Sequence, residues 1–215
     1  MIAGLGIGRT LRDFCRPHRM ALVVYDMQAG IVQQVKDGAE ITAKVLKVIE
    51  AARDGGYPVI FLRHMSMPRE LMGAFQLRQA MAWQGTDDPD AVTPWFLRGT
   101  PGFEIVPELA PRENEAILDK ITFSAFEGTP LSIILRDLGI TSFAICGIAT
   151  EIGIDPTVRH GADLGFVPIV IRDACGAGHQ EAAERSFDNI AYMGDAILSD
   201  VEEIVGAMRG HPTAA

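Results

Sequence analysis

Cysteine, long apolar runs and clustered positive charge are all scarce in this chain of 215 residues. Its three cysteines, Cys15, Cys146 and Cys175, are too few and too unevenly spaced for a disulfide framework or a zinc site. No window is apolar over the roughly 20 residues that a membrane-spanning helix needs. The N-terminus alternates glycine with apolar residues before its arginines, which is not the order of a signal peptide. We therefore expect a cytoplasmic protein that does not associate with a membrane.

The charge balance is acidic, with 28 Asp and Glu residues against 19 Lys and Arg residues and a formal net charge of −9. The basic residues are scattered rather than clustered, which argues against a nucleic-acid partner and favours a small-molecule substrate. With 48% hydrophobic and 22% charged residues, the chain can bury a full core. We expect one domain over 1–215, with an N-terminal arm at 1–18 and an excursion loop at 84–112 that is rich in Gly, Pro and Asp.

Apolar runs of strand length alternate with segments of helical periodicity along the chain. This alternation predicts an α/β fold, in which a parallel sheet is flanked by helices. The predicted strands are 20–25, 58–62, 116–118, 142–146, 167–172 and 196–198. The predicted helices are 41–53, 69–83, 129–138, 155–164, 179–193 and one that begins near 200.

Three residues that could form a site follow the ends of predicted strands. Asp26 follows the first strand, Lys120 follows the third, and Gly153 lies beyond the fourth. Any one of them has an ordinary explanation, since an Asp there often caps a turn and a Lys is often solvated. Because open α/β sheets build their sites beyond the carboxyl ends of strands, the combination favours a functional site.

The segment 144–154 is typical of a strand-to-helix turn that carries a nucleophile, yet it has none. The apolar run that ends at Cys146 reads as a buried strand, Gly147 breaks it, and Pro156 opens a helix. Backbone N–H groups at such a turn can receive negative charge that develops on a substrate. Position 153, the expected apex, is glycine.

Three segments together resemble the signature segments of the isochorismatase-like hydrolases. They are Tyr25-Asp26-Met27-Gln28, the stretch 119–126 and the stretch 147–151. The resemblance extends from about residue 20 to 200 and implies a three-layer sandwich, with a six-stranded, mainly parallel sheet and helices on both faces. It also implies a homodimer or homotetramer and a cis peptide between Ile148 and Ala149. Most members use an Asp, a Lys and a Cys as a triad, and Asp26 and Lys120 match the first two.

Gly153 stands where most members of the family have the cysteine, two residues after the acidic member of a Thr-Asp/Glu pair, here Thr150-Glu151. Glycine cannot form an acyl-enzyme, so thiol chemistry is excluded at that position. True isochorismatases, which cleave a vinyl ether, also resemble this chain in having a glycine-like residue at that position. For them the family implies that the Asp is a general acid. Burial would raise the pKa of Asp26 and a neighbouring Lys120 would lower it, so these effects compete. The Thr150-Glu151 pair is nonetheless of the amidase type.

Three functions remain open from the sequence. The first is a small-molecule hydrolase that uses Asp26 and Lys120 without a cysteine nucleophile at 153. The second is an amidase-type cysteine hydrolase whose nucleophile is mutated or displaced, for example to Cys175, although a free cysteine there is also explained by packing. The third is a non-catalytic binding or structural relative.

Further candidate residues surround these positions. Gln28 could orient a substrate or only bond the loop backbone, and Phe123 could line a pocket or only pack in the core. Ile148, Ala149 and Thr150 are candidate binding residues, and the amides of Ala149 and Gly153 are a candidate anion-binding element. Nicotinamidases, which share the resemblance, bind a divalent ion through an Asp and two His residues. Only His64 occupies the matching segment, so we expect neither a metal nor another cofactor.

Overall fold

A six-stranded parallel sheet forms the centre of the molecule in the computed structural model, which describes residues 7–210. The strands lie in the order β3-β2-β1-β4-β5-β6, and every neighbouring pair is parallel. They are β1 (Met20–Tyr25), β2 (Val59–His64), β3 (Ala116–Lys120), β4 (Ser142–Ile148), β5 (Val167–Gly176) and β6 (Ile197–Ser199). The predicted α/β fold with a six-stranded parallel sheet is confirmed.

Helices cover both faces of the sheet and complete the three layers. The helices are α1 (Leu11–Phe14), α2 (Ala29–Val32), α3 (Gly38–Asp54), α4 (Ala74–Gln84), α5 (Leu131–Asp137), α6 (Asp155–Asp163), α7 (Gln180–Met193) and α8 (Val201–Arg209). Leu22 and Val24 of β1 belong to the apolar core that includes α3 and α8. Val23 and Tyr25 point the other way, into the core that includes α5, α6 and α7. Both faces of β1 are therefore buried, which explains its continuous apolar run.

The chain reverses direction across the sheet between β1 and β4. From β1 it moves outward to β2 and β3, and then it crosses back to build β4, β5 and β6 on the other side. The carboxyl ends of β1 and β4 consequently flank a topological switch point, where open α/β sheets form their ligand crevice. Asp26 follows β1 directly, and Ala149 follows β4.

The structure revises several predicted boundaries, and two of the differences have a clear physical cause. The predicted helix 69–83 is a 3₁₀ turn, Arg69–Leu71, followed by α4, because the backbone is extended at Met72 and at Gly73. The predicted strand 142–146 continues to Ile148, so Gly147 does not break it. Gly147 has φ 127°, and a Cβ there would lie 2.0 Å from the Tyr25 carbonyl oxygen. Glycine is needed because it lets β4 continue beside β1.

The segment predicted as an excursion over the site holds three short 3₁₀ turns and no strand. They are Pro89–Ala91, Pro101–Phe103 and Pro107–Leu109. None of the helices within residues 7–210 combines the length and the apolar character that crossing a membrane requires. The single-domain boundaries stay a prediction, and part of the predicted N-terminal arm, residues 1–6, lies outside the described residues.

Candidate active site

Asp26 lies at the carboxyl end of β1 and is the first residue of the candidate site. Its backbone has φ 47°, in the left-handed region that Asp tolerates better than most residues. Its N–H donates to the carbonyl of Leu62 at 3.1 Å, so the end of β2 holds this turn in place. The residue is 5% exposed. An unusual backbone conformation at a buried acid is the kind of feature that concentrates at functional sites.

Lys120, the last residue of β3, pairs with Asp26. Its Nζ donates to Asp26 Oδ2 at 2.7 Å, and the residue is 3% exposed. Burial raises the pKa of Asp26 and lowers the pKa of Lys120, and in each case the charge of the partner opposes the effect of burial. Asp26 Oδ1 is buried and has no hydrogen-bond partner among the described residues. One oxygen of this carboxyl group is thus available to accept a hydrogen bond.

A cavity of about 290 Å³ lies over this pair. Trp83 and Phe123 form one aromatic contact in its wall, with ring centroids 6.3 Å apart, and Trp95 and Phe96 form a second at the same distance. The residues that complete the lining are Tyr25, Ile31, Gln34, His64, Ile148, Ala149 and Ile152. The site therefore combines a largely apolar wall with one buried ion pair, as small-molecule sites commonly do.

The structure brings several of the predicted residues into this cavity. Asp26, Lys120, Phe123, Ile148 and Ala149 all line it. The peptide bond between Ile148 and Ala149 is cis, as the family resemblance implies. Their roles in binding or catalysis stay predictions.

Gln28 and Thr150 do not line the cavity, and for Gln28 this agrees with the second of the two roles that the sequence left open, bonding to the loop backbone. Gln28 is fully buried, and its Nε2 donates to the carbonyls of His64 at 3.0 Å and Phe103 at 2.9 Å, while its Oε1 accepts from His64 N–H at 2.6 Å. Thr150 Oγ1 donates to the carbonyl of Gly176 at 2.9 Å. Both side chains satisfy backbone groups in neighbouring segments, so they hold the loops around the cavity rather than face it.

Gly153 also differs from its prediction. It lies in a π-helical turn, Thr150–Ile154, and its N–H donates to the carbonyl of Ala149 at 3.0 Å. This contradicts the expectation that the Gly153 amide is free to bind an anion. Gly153 is buried, and the nearest atoms to a Cβ built there belong to Tyr25.

The cysteines lie away from the cavity lining. Cys175 is buried in β5, and burial raises the pKa of its thiol well above the ordinary value. Burial also raises the pKa values of Cys15 and Cys146 to about 12. A thiol with a raised pKa is a poor nucleophile because little thiolate is present at neutral pH. The geometry does not support a displaced cysteine nucleophile.

Tyr25 and His64 are among the cavity-lining residues that sequence reasoning did not assign to the site. Tyr25 directly precedes Asp26, but a Tyr at a strand end reads as core. His64 was weighed only as a metal ligand; its pKa is lowered to about 3 by burial and by the charge of Lys120, so it is neutral at physiological pH. Within residues 7–210, no group of three or more His, Cys, Asp or Glu side chains is arranged to hold a metal ion.

Sequence and structure comparisons agree with this fold. The Isochorismatase domain matches residues 20–203, and the chain therefore belongs to the isochorismatase family of hydrolases.

Among individual proteins, the chain is similar to the uncharacterized isochorismatase family protein YecD of Escherichia coli O157:H7, with 30% identity over 87% of this chain and 95% of that protein. It is also similar to ureidoacrylate amidohydrolase RutB of Serratia proteamaculans (strain 568), with 29% identity over 89% of this chain and 84% of the relative. A crystal structure of a cysteine hydrolase from Pseudomonas syringae pv. phaseolicola 1448A superposes with a TM-score of 0.78, at 25% identity and with 91% and 94% of the two chains covered.

Proposed function

We propose that this protein hydrolyses a small molecule at the Asp26–Lys120 pair, without a covalent intermediate on residue 153. The observation that carries the proposal is the buried 2.7 Å contact between Lys120 Nζ and Asp26 Oδ2 at a cavity of about 290 Å³. A buried ion pair is a costly feature for a protein to keep without a function. The intact pair and the open cavity favour an enzyme over a binding relative.

Asp26 is the proposed proton carrier. Its unpartnered Oδ1 can accept a hydrogen bond from a water molecule or from a substrate N–H group. In the hydrolysis of a C–N bond, water would attack the carbonyl carbon and lose a proton to Asp26, which would pass it to the leaving nitrogen. The Lys120 ammonium would stabilise the oxyanion, because charge interactions are stronger at a buried group than in bulk water and Lys120 is only 3% exposed.

A vinyl ether is the second candidate substrate. Burial raises the pKa of Asp26, which favours the neutral carboxyl group that a general acid needs. Asp26 would then protonate the double bond, and water would complete the hydrolysis. The absence of a nucleophile at 153 is compatible with either reaction. The Thr150-Glu151 pair and the similarity to a ureidoacrylate amidohydrolase favour the C–N bond.

The test is turnover of a panel of small amides, ureido compounds and isochorismate by the purified protein and two variants. Asp26→Asn removes the proton carrier and should lower kcat/KM by about 10²-fold or more. Asp119→Asn is the matched control, because Asp119 neighbours Lys120 but pairs with Arg63 and Arg98 instead of lining the cavity. Its kcat/KM should stay within a few-fold of the wild-type value.

Two results would overturn this proposal. One is turnover that survives in Asp26→Asn, and the other is a wild-type protein that turns over no member of the panel. Denaturing mass spectrometry during turnover should show only the mass of the unmodified chain. An added mass of an acyl group would contradict hydrolysis without a covalent intermediate.

A further inference from the structure

Tyr25 and Gly153 make an unusually close approach beside the proposed catalytic pair. A Cβ at position 153 would lie 2.0 Å from Tyr25 Oη, 2.2 Å from Cζ and 2.4 Å from Cε1. Real side chains do not approach this closely, so Tyr25 and any residue larger than glycine at 153 compete for one space. The phenol occupies the position into which a side chain at 153 would project.

Tyr25 is held firmly in this position. It is the last residue of β1 and is 2% exposed. Its hydroxyl donates to the carbonyl of Phe123, and Lys120 Nζ lies 4.2 Å from the centre of its ring. To move aside and admit a side chain at 153, the ring would have to give up its hydrogen bond to Phe123 and its contact with Lys120.

The phenol also contacts two parts of the candidate site, the backbone of Phe123 and the ammonium of Lys120. Its hydrogen bond fixes the backbone of Phe123, whose side chain lines the cavity. The face of its ring stabilises the Lys120 ammonium through a cation–π contact. Burial and the charge of Asp26 raise the pKa of Tyr25 well above its ordinary value, so the hydroxyl stays a hydrogen-bond donor. Tyr25 is therefore part of the site and more than a filler of space.

We propose that Tyr25 and Gly153 are a matched pair in which the phenol replaces the side chain at 153, so that the site works without a side-chain nucleophile. The packing part of this proposal stands alone, and the mechanistic part rests on the proposed function. Gly153 is then a residue that Tyr25 requires. It is not the remnant of a lost cysteine, and restoring a thiol at 153 alone should not create a cysteine hydrolase.

The packing part is tested by thermal unfolding of Gly153→Ala in three backgrounds: wild type, Tyr25→Phe and Tyr25→Val. In wild type, Gly153→Ala should lower Tm by roughly 2 to 12 °C because the new methyl group overpacks the core. Tyr25→Phe should not relieve the effect, because Cζ remains at 2.2 Å. Tyr25→Val removes all three contacting atoms, and there the second substitution should be neutral or raise Tm.

The matched control is Gly206→Ala, since a Cβ at Gly206 in α8 would meet no atom within 4 Å. Its effect on Tm should be the same in all three backgrounds. Equal shifts for Gly153→Ala in the wild-type and Tyr25→Val backgrounds would overturn the matched pair, whatever the protein's activity.

A second measurement tests the reactivity of a thiol introduced at position 153 and does not need a substrate. Gly153→Cys is made in the wild-type and Tyr25→Val backgrounds, and alkylation by iodoacetamide is located by peptide mass spectrometry. In the Tyr25→Val background the introduced thiol should react more than 10-fold faster than in the wild-type background. There it has room beside the Lys120 ammonium, which stabilises a thiolate. The native cysteines are buried and report any unfolding by their own labelling.

The outcomes separate the two proposals. Equal alkylation in both backgrounds, or amide hydrolysis gained by Gly153→Cys alone, would overturn the matched pair. Strong coupling between positions 25 and 153 together with no Asp26-dependent turnover would refute the proposed function and leave the packing part standing.

Discussion

Breaking the Asp26–Lys120 pair should destabilise the protein in a way that depends on pH with a predictable sign. Lys120→Met leaves the Asp26 carboxyl buried, and the least costly response is to take up a proton. At pH 7, about three pH units above the ordinary pKa of Asp, this costs about 4 kcal/mol. That figure agrees with the roughly 3 to 5 kcal/mol typical of breaking a buried pair. For a chain of this size it corresponds to a Tm lower by about 8 to 16 °C.

The two single variants should have opposite pH dependence. In Lys120→Met the pKa of Asp26 is raised further in the folded state, so the folded state holds the extra proton and the deficit shrinks as pH falls from 7 to 5. In Asp26→Asn the pKa of Lys120 is lowered in the folded state, because burial disfavours its charge and its partner is gone. The unfolded state then binds more protons at neutral pH, and the deficit shrinks as pH rises from 7 to 9.

Urea unfolding at pH 5, 7 and 9 is the assay, with the free energy of unfolding of each variant compared with the wild type at the same pH. The double variant should lose less than the sum of the single losses, because no unpaired charge remains. Deficits that do not change with pH, or that change with the same sign in both variants, would refute the view that these groups are buried and coupled. So would additive losses.

Three other regions give independent predictions. Arg53 forms two hydrogen bonds to Glu115, at 2.7 and 2.8 Å, and these lower the pKa of the Glu115 carboxyl. Arg53→Met should therefore lower the free energy of unfolding, measured in urea, by about 3 to 5 kcal/mol at pH 7. The loss should be smaller at pH 4, where Glu115 takes up a proton on unfolding. A deficit as large at pH 4 as at pH 7 would count against this. The pKa of His64 is lowered from 6.5 to about 3, so the unfolded state binds a proton that the folded state does not, and stability decreases as pH falls below 6.5. His64→Gln should therefore flatten the fall in Tm between pH 7 and pH 4. An unchanged slope of Tm against pH would contradict the burial of a neutral ring. Gly147→Ala should lower the free energy of unfolding by about 3 kcal/mol or more, since it combines backbone strain at φ 127° with a clash against the carbonyl of Tyr25. A Tm within 2 °C of the wild-type value would argue against the register of β4.

Much of the fold follows from local patterns in the chain. Buried parallel strands are short apolar runs, helices are longer and amphipathic, and their alternation predicts a parallel sheet between two helical layers. The same logic locates Asp26 and Lys120, because Asp26 directly follows β1 and Lys120 ends β3, and the carboxyl ends of these strands meet at one edge of the sheet. What local patterns did not predict was the extension of β4 through Gly147, where a residue that usually ends a strand is required by the neighbouring backbone.

The sequence by itself determined the α/β architecture and the family resemblance, because each rests on patterns within short segments, and the resemblance implied that Asp26 and Lys120 belong to one site. Only the tertiary structure decided which side chains face the cavity. Gln28 and Thr150 turn away to satisfy backbone groups that other segments bring to them. Tyr25 meets Gly153 because β1 and the turn after β4 lie side by side, although the two residues are far apart in the chain. Such contacts depend on strand order and register, which no single segment encodes.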